Sequence, residues 1–201
     1  MYYFLYQACG TNTPAANACF AGSEMMTLES GEVKTMEDIE VGDRVLTINA
    51  KGEQVYSDVA YLPHGKNQKE TTFAVISTES GRDVKMTMNH ILPAGACSLS
   101  TLPSIVASKV AVGDCVQTVS GREQVVSVGQ AEGKGIYTVI AMEELIVVNG
   151  IVATPFGGVN PTVANIYYNM HRLFFSTFGK MTFFQEATEN VWNVLSVLST
   201  R

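Results

Sequence analysis

Two stretches of this chain hold residues that could act together on a carbonyl group. Cys19, in Ala18-Cys19-Phe20, is a thiol preceded by a small residue and followed by an aromatic one. Downstream, Thr87-Met88-Asn89-His90 sets a hydroxyl and an imidazole in a Thr-x-x-His tetrad. A cysteine with a distant histidine is a candidate nucleophile and its proton handler, because the thiolate does the attacking and something must take or give the proton. Taken singly, each residue has an ordinary reading. Cysteine is commonly a small buried hydrophobe, a lone histidine a hydrogen-bonded core residue, and threonine in an alternating stretch a good strand former.

The elements that must position these residues read as short strands. Glu24 to Leu28 is followed by a Ser30-Gly31-Glu32 turn, then Lys34 to Glu37, then a strand from Asp43 to Ile48. Ala50-Lys51-Gly52 turns the chain into Gln54 to Val59; Thr72 to Ser77 meets a Ser80-Gly81 turn and returns through Val84 to Thr87. Alternation broken by glycine-bearing turns every ~8–12 residues is an all-β signature.

The body also repeats. Val41-Gly42-Asp43-Arg44-Val45-Leu46-Thr47 recurs as Val112-Gly113-Asp114-Cys115-Val116-Gln117-Thr118, and Glu53-Gln54-Val55-Tyr56-Ser57 as Glu123-Gln124-Val125-Val126-Ser127. A weaker match sets Thr87-Met88-Asn89-His90-Ile91 against Val147-Val148-Asn149-Gly150-Ile151. Three matches in one order predict two related halves about a pseudo-twofold axis. In the second half Gly150 stands where the first has His90, so one copy carries the chemistry.

Composition narrows the function. A hydrophobic content of 46% with 16% charged residues describes a folded chain, and a net charge of -6 argues against a general nucleic-acid binder. Residues 1-18 carry no charge, 19-155 are acidic, and 156-201 are weakly basic and rich in aromatic residues. These shifts suggest a short leader, a body and a tail. No signal peptide is visible, since Met1 to Tyr6 lacks a basic n-region and a full h-region. Either the chain is cytosolic or a longer precursor extends upstream of Met1. No apolar run reaches the roughly 18 residues of a membrane span. Cys9, Cys19, Cys97 and Cys115 show no C-x-x-C spacing, which argues against a zinc or thioredoxin-type site. Their even number permits disulfides and their spacing specifies none. Cys115 reads as an ordinary strand residue and Cys97 as a free thiol in a polar loop.

In the tail, Asn160-Pro161 resembles an N-cap followed by proline at the first helical position. Val163, Ile166, Tyr167, Met170, Leu173 and Phe174 then recur at helical spacing. After Gly179 a second pattern begins at Thr182 and Gln185 and continues through Phe184, Ala187, Val191, Leu195 and Leu198. Two amphipathic helices in a hairpin are expected.

Cys19-Phe20, Val41 to Leu46, Val55-Tyr56-Ser57-Asp58, Thr87-x-x-His90 and Ile146 to Val152 together resemble the autoprocessing domain of hedgehog proteins, the hedgehog/intein (Hint) type, with most likeness to the hedgehog-related warthog and groundhog branch. The resemblance covers 19-155 and implies a β-horseshoe of two pseudo-symmetric halves, flanked by the leader 1-18 and a helical tail 156-201. It implies self-cleavage at Ala18-Cys19. The Cys19 thiol would attack the Ala18 carbonyl in an N-to-S acyl shift, with His90 protonating the departing amine and Thr87 orienting the scissile amide. A second nucleophile then releases the leader; in hedgehog proteins it is the hydroxyl of cholesterol. No cofactor is implied beyond a sterol or other lipid co-substrate. The implied substrate is the chain's own N-terminal segment, and the implied setting is the secretory pathway. The aromatic tail would engage lipid at a membrane surface.

Two positions depart from the hedgehog pattern. His64, in Leu62-Pro63-His64-Gly65, stands where classical hedgehogs carry the aspartate of the second step, and its imidazole could act as base there. Ala153-Thr154-Pro155 replaces Ala-Ser-Cys at the domain's end, so no disulfide can run from that position to the nucleophile. The competing class is a non-catalytic β-module with a membrane- or partner-binding tail, which the mass of the expressed chain with and without hydroxylamine would separate. Protein splicing is disfavoured, because Val148 rather than histidine precedes Asn149.

Overall fold

The computed structural model describes residues 19–63, 68–157 and 161–179. Its strands are β1 (Phe20–Ala21), β2 (Met25–Thr27), β3 (Val33–Thr35), β4 (Arg44–Ile48), β5 (Gln54–Tyr61), β6 (Glu70–Thr78), β7 (Asp83–Met86) and β8 (Ile91–Ala96). There follow β9 (Ser104–Val106), a single 3-10 turn at Ala107–Lys109, β10 (Asp114–Thr118), β11 (Gly121–Lys134), β12 (Ile136–Tyr137), β13 (Ile140–Ala141), β14 (Leu145–Val148) and β15 (Ile151–Ala153). The helix α1 spans Pro161–Phe178. The body is all-β, as expected, and the helix is a small addition to it.

The main sheet runs β12-β1-β7-β6-β11-β10-β15-β14-β4-β5-β13, with β8 on β10 and β9 on β8. β11 pairs with β6 from Lys134↔Glu70 to Val125↔Thr78, interrupted by a bulge at Val126 whose side chain turns to solvent. The core fills from both ends of this path, with Phe20, Ile76, Met86, Leu92, Val116, Ile146 and Ile151 all sealed from water. At roughly 25 cal/mol per Å² of apolar surface, such burial is the main favourable term holding the halves together.

The repeat is visible in the hydrogen bonds. The Glu40 amide donates to Asp43 Oδ2 at 2.9 Å, and the Ala111 amide donates to Asp114 Oδ2 at 2.9 Å. Between them and their strands, Gly42 (φ 91°) donates to Val59 O and Gly113 (φ 95°) to Val125 O. Both turns need the left-handed backbone that only glycine adopts cheaply, so Val-Gly-Asp recurs for a structural reason.

The second sequence match does not superpose. Arg44 pairs with Asp58 and Cys115 with Gln124, which makes Asp58 rather than Gln54 the counterpart of Gln124. The cause is loop length: β4 and β5 are joined by Asn49 to Glu53, β10 and β11 by Val119-Ser120 alone.

Cys97 and Cys115 are not a loose thiol and a bland strand residue. They form a disulfide with Cα atoms 4.9 Å apart, where Gly95 pairs with Cys115. The loop that hid this in the sequence returns beside its own strand.

Candidate active site

The site is assembled by one short strand. β1 lies between β12 and β7, with Phe20 opposite Met86 on one side and Tyr137 on the other. Antiparallel pairing carried one residue further sets Cys19 beside Thr87. Two hydrogen bonds close that pair: the Cys19 amide donates to Thr87 Oγ1 at 3.0 Å, and the Thr87 amide to Cys19 O at 2.8 Å. Thr87 therefore holds the nitrogen of the Ala18-Cys19 peptide bond. The chain then turns at Thr87-Met88-Asn89-His90, closed by the His90 amide donating to Thr87 O at 2.9 Å. The tetrad spacing exists because a four-residue turn returns the imidazole toward the strand that carries Cys19.

His90 is fully buried, its ring tilted against Phe20 with centroids 4.2 Å apart. Its Nε2 lies 2.8 Å from the main-chain oxygen of Thr154. A carbonyl can only accept, so Nε2 carries the proton and Nδ1 presents a lone pair. That Nδ1 has no hydrogen-bond partner among the described residues. Burial pushes the imidazole pKa down to about 4, offset only in part by the Thr154 contact. The resting ring is neutral. A neutral imidazole with an open lone pair can take a proton and hand it on.

Cys19 is itself fully buried, in a small cluster with Ala21, Phe73 and Ile136. Its sulfur is in disulfide form, so reduction to the thiol must precede any attack by it. Cys19, Thr87 and His90 are thus brought together, while Ala18 and His64 lie outside the described residues.

Beside the site, Glu24 is buried and accepts from the Lys85 amide at 3.0 Å and from Asn149 Nδ2 at 2.7 Å. Desolvation raises its pKa. Asn149, at φ 50°, also accepts from the Met25 amide and donates to Asp83 O. This staple binds the turn of the second half to β7, the strand leading to Thr87. Nothing in the sequence marks Glu24, because an acidic residue at a strand start looks solvent-exposed.

Of the tail, α1 is present from Pro161 and ends at Gly179 (φ 67°), whose amide donates to Phe175 O in the manner of a glycine C-cap. Asn160 and the expected second helix lie outside the described residues. The helix is docked by Arg172, a buried guanidinium donating to Ala141 O at 2.7 Å and Glu143 O at 3.0 Å, and by His171 stacked on Tyr61 at 4.0 Å. Among the described residues no helix is long and apolar enough to cross a membrane, and no His/Cys/Asp/Glu cluster could hold a metal ion.

Comparison with known proteins fits this geometry. A family model for the Hint module matches residues 11–197. Indian hedgehog B protein of Danio rerio is 30% identical over 156 residues, covering 71% of this chain and 38% of that protein. Warthog protein 6 of Caenorhabditis elegans is 25% identical over 85% of this chain and 30% of its own length. Protein qua-1 of the same organism is 28% identical over 74% of this chain and 14% of its own. The chain thus spans well under half the length of these relatives. Among solved structures, a DnaB intein from Synechocystis aligns with a TM-score of 0.56 at 15% identity, covering 69% of this chain and 98% of the intein. A bacterial intein-like domain from Clostridium thermocellum aligns at 0.53 with 21% identity over 69% of this chain and 98% of its own. With a family model spanning nearly its whole length and a β-body shared with inteins, this chain belongs to the Hint module family.

Proposed function

We propose that this chain cleaves itself at the Ala18-Cys19 peptide bond through a thioester, and that Cys19, Thr87 and His90 carry the first step. The observation that carries the proposal is the scissile nitrogen itself. The Cys19 N–H is held by Thr87 Oγ1 in a buried site, and the same turn carries a neutral histidine. Once Cys19 is reduced, its thiol proton passes to His90 Nδ1 and the thiolate attacks the Ala18 carbonyl carbon. The carbon–nitrogen bond breaks, the carbon–sulfur bond remains, and the proton on Nδ1 goes to the departing Cys19 nitrogen. An amide is more stable than the thioester that replaces it, so the step depends on that delivered proton and on a fixed junction.

A second nucleophile then attacks the thioester and frees the leader. We take it to be a lipid hydroxyl, with water or a small thiol able to substitute and His64 as the base. Likeness to hedgehog and warthog proteins supports this. So does α1, which holds Leu173 and Phe178 out to solvent where they could meet lipid. The setting that fits is the secretory pathway, since the Cys97–Cys115 disulfide belongs to an oxidising compartment.

The test is the mass of the expressed chain. Reduced protein should yield an 18-residue leader and a body beginning at Cys19, faster with dithiothreitol, and Cys19→Ala should yield neither. Cleavage of the alanine variant at the same bond would rule out the thioester route.

A further inference from the structure

His90 is held by a segment outside the first half, and that segment is itself anchored. Thr154 O accepts the Nε2 proton at 2.8 Å. The same residue is fixed to the start of β8: its amide lies 3.1 Å and its hydroxyl 2.8 Å from Ile91 O, and the hydroxyl also reaches Phe156 O at 2.5 Å. The next carbonyl, of Pro155, accepts from Thr138 Oγ1 at 2.8 Å. Thr138 and Thr154 are both buried. Thr138 directly follows β12, and the register Phe20↔Tyr137, Ala21↔Ile136 carried one step further sets it opposite Cys19. One hydroxyl therefore ties the strand beside the nucleophile to the segment that orients the histidine.

We infer that Thr154 and Thr138 are positioning residues for the acyl shift: the Thr154 carbonyl selects the Nε2–H tautomer of His90, and the two hydroxyls hold that carbonyl in place. The inference rests on the self-cleavage reading for its role and on the geometry alone for the tautomer. Were the Thr154 carbonyl free to swing away, the buried ring could flip or take the Nδ1–H form. Nδ1 would then carry a proton already and could not take the one from the Cys19 thiol. Pro155 suits the segment, having no amide hydrogen to compete for the acceptors around it.

The experiment has two arms on the full chain. In the first, nitrogen-15 spectra of the Cys19→Ala protein, which keeps its junction, read the tautomer of His90, with His64→Gln and His171→Gln assigning the other two rings. The parent should show protonated Nε2 and bare Nδ1, and Thr154→Ala and Thr138→Val should each show a mixture. In the second, leader release by hydroxylamine is timed in reduced protein with Cys19 present. Thr154→Ala should slow it ~100-fold, the scale expected when a reacting group is misplaced by about an ångström. Thr138→Val should slow it ~10-fold by the same reasoning, and Thr154→Ser and Thr138→Ser should restore it. Should Thr154→Ala fail to fold, Thr138→Val and the two serine variants carry both arms. A parent ring in the Nδ1–H form, parental cleavage rates in the variants, or slowed cleavage with an unchanged tautomer would each overturn the inference. If the variants shift the tautomer but the reduced protein with Cys19 present never releases its leader, the acyl-shift role falls together with the self-cleavage reading, leaving only the tautomer assignment.

Discussion

Burying an imidazole whose pKa falls to about 4 makes stability depend on pH in a direction that can be worked out. The unfolded chain has an ordinary histidine near 6.5, and the folded one resists protonation until about 4. Between those values the unfolded state binds more protons, so stability rises with pH there. The contribution of His90 is complete above about 6.5 and is lost as pH falls toward 4. Below that both states are protonated and nothing further changes. At ~1.4 kcal/mol per pH unit, the interval from 6.5 to about 4 corresponds to about 3 kcal/mol.

The assay is urea unfolding of the Cys19→Ala protein from pH 4 to 8, beside the same protein carrying His90→Gln. Other groups titrate in this window. Glu24 is one, and its raised pKa acts oppositely, favouring the fold at low pH and less so as pH rises through its folded value. Subtracting the glutamine variant removes these shared terms. The difference curve should be flat above pH 7 and fall by about 3 kcal/mol toward pH 4. The same neutral ring implies that thioester formation shows no inflection near pH 6.5. A flat difference curve, or a cleavage profile that drops through 6.5, would refute the claim that His90 rests neutral and sealed.

Further outcomes follow from the hydrogen bonds. Thr87→Val strands the buried Cys19 amide hydrogen; it should cost about 1–3 kcal/mol in urea unfolding and slow hydroxylamine-driven leader release by more than tenfold, while Thr87→Ser largely restores both. Replacing Cys97 and Cys115 together by alanine opens a loop of sequence separation 18. The double variant should lose about 3 kcal/mol, yet cleave at the parental rate wherever it remains folded. Arg172→Met leaves the carbonyls of Ala141 and Glu143 without their donor. It should lower the unfolding midpoint and leave thiol-driven cleavage of the folded protein unchanged, which a melting curve and a mass assay at low temperature would check.

What the sequence disclosed was whatever local chemistry enforces. Gly42 and Gly113 sit at turns that demand positive φ, so the repeat around them was visible as letters and proved true in hydrogen bonds. The match of Glu53 with Glu123 was not enforced in that way, and a difference in loop length carries it out of register. Cys19, Thr87 and His90 could be picked out because thiols and imidazoles are few and the Thr-x-x-His order is distinctive. Their contact could not, since it depends on β1 slotting between β7 and β12, two strands distant from it in sequence. The Cys97–Cys115 bond was hidden likewise, because spacing says nothing of which strands become neighbours. Thr138 left no signal at all, and Thr154 stood out only for its place in Ala153-Thr154-Pro155, not for any role. A threonine in a run of apolar residues looks like any strand residue until its hydroxyl is seen to meet a buried carbonyl.

The two halves of the body therefore divide the work unequally, but neither is idle. The first supplies the hydroxyl and imidazole of the Thr87–His90 turn, next to the Cys19 that heads it. In the second, the corresponding turn has Gly150 where the first has His90, and its Asn149 is locked by Glu24, Met25 and Asp83 into a staple under β7. The chain just beyond that turn then supplies Thr154 O, the acceptor for His90 Nε2. A duplicated fold with one active copy would tolerate a decayed partner if the partner only filled space. Here the spare copy fixes the strand leading to Thr87 from one side and the proton on His90 from the other. Damage to the Asn149 staple or to the Thr154 carbonyl should thus appear first as a loss of chemistry in the first half.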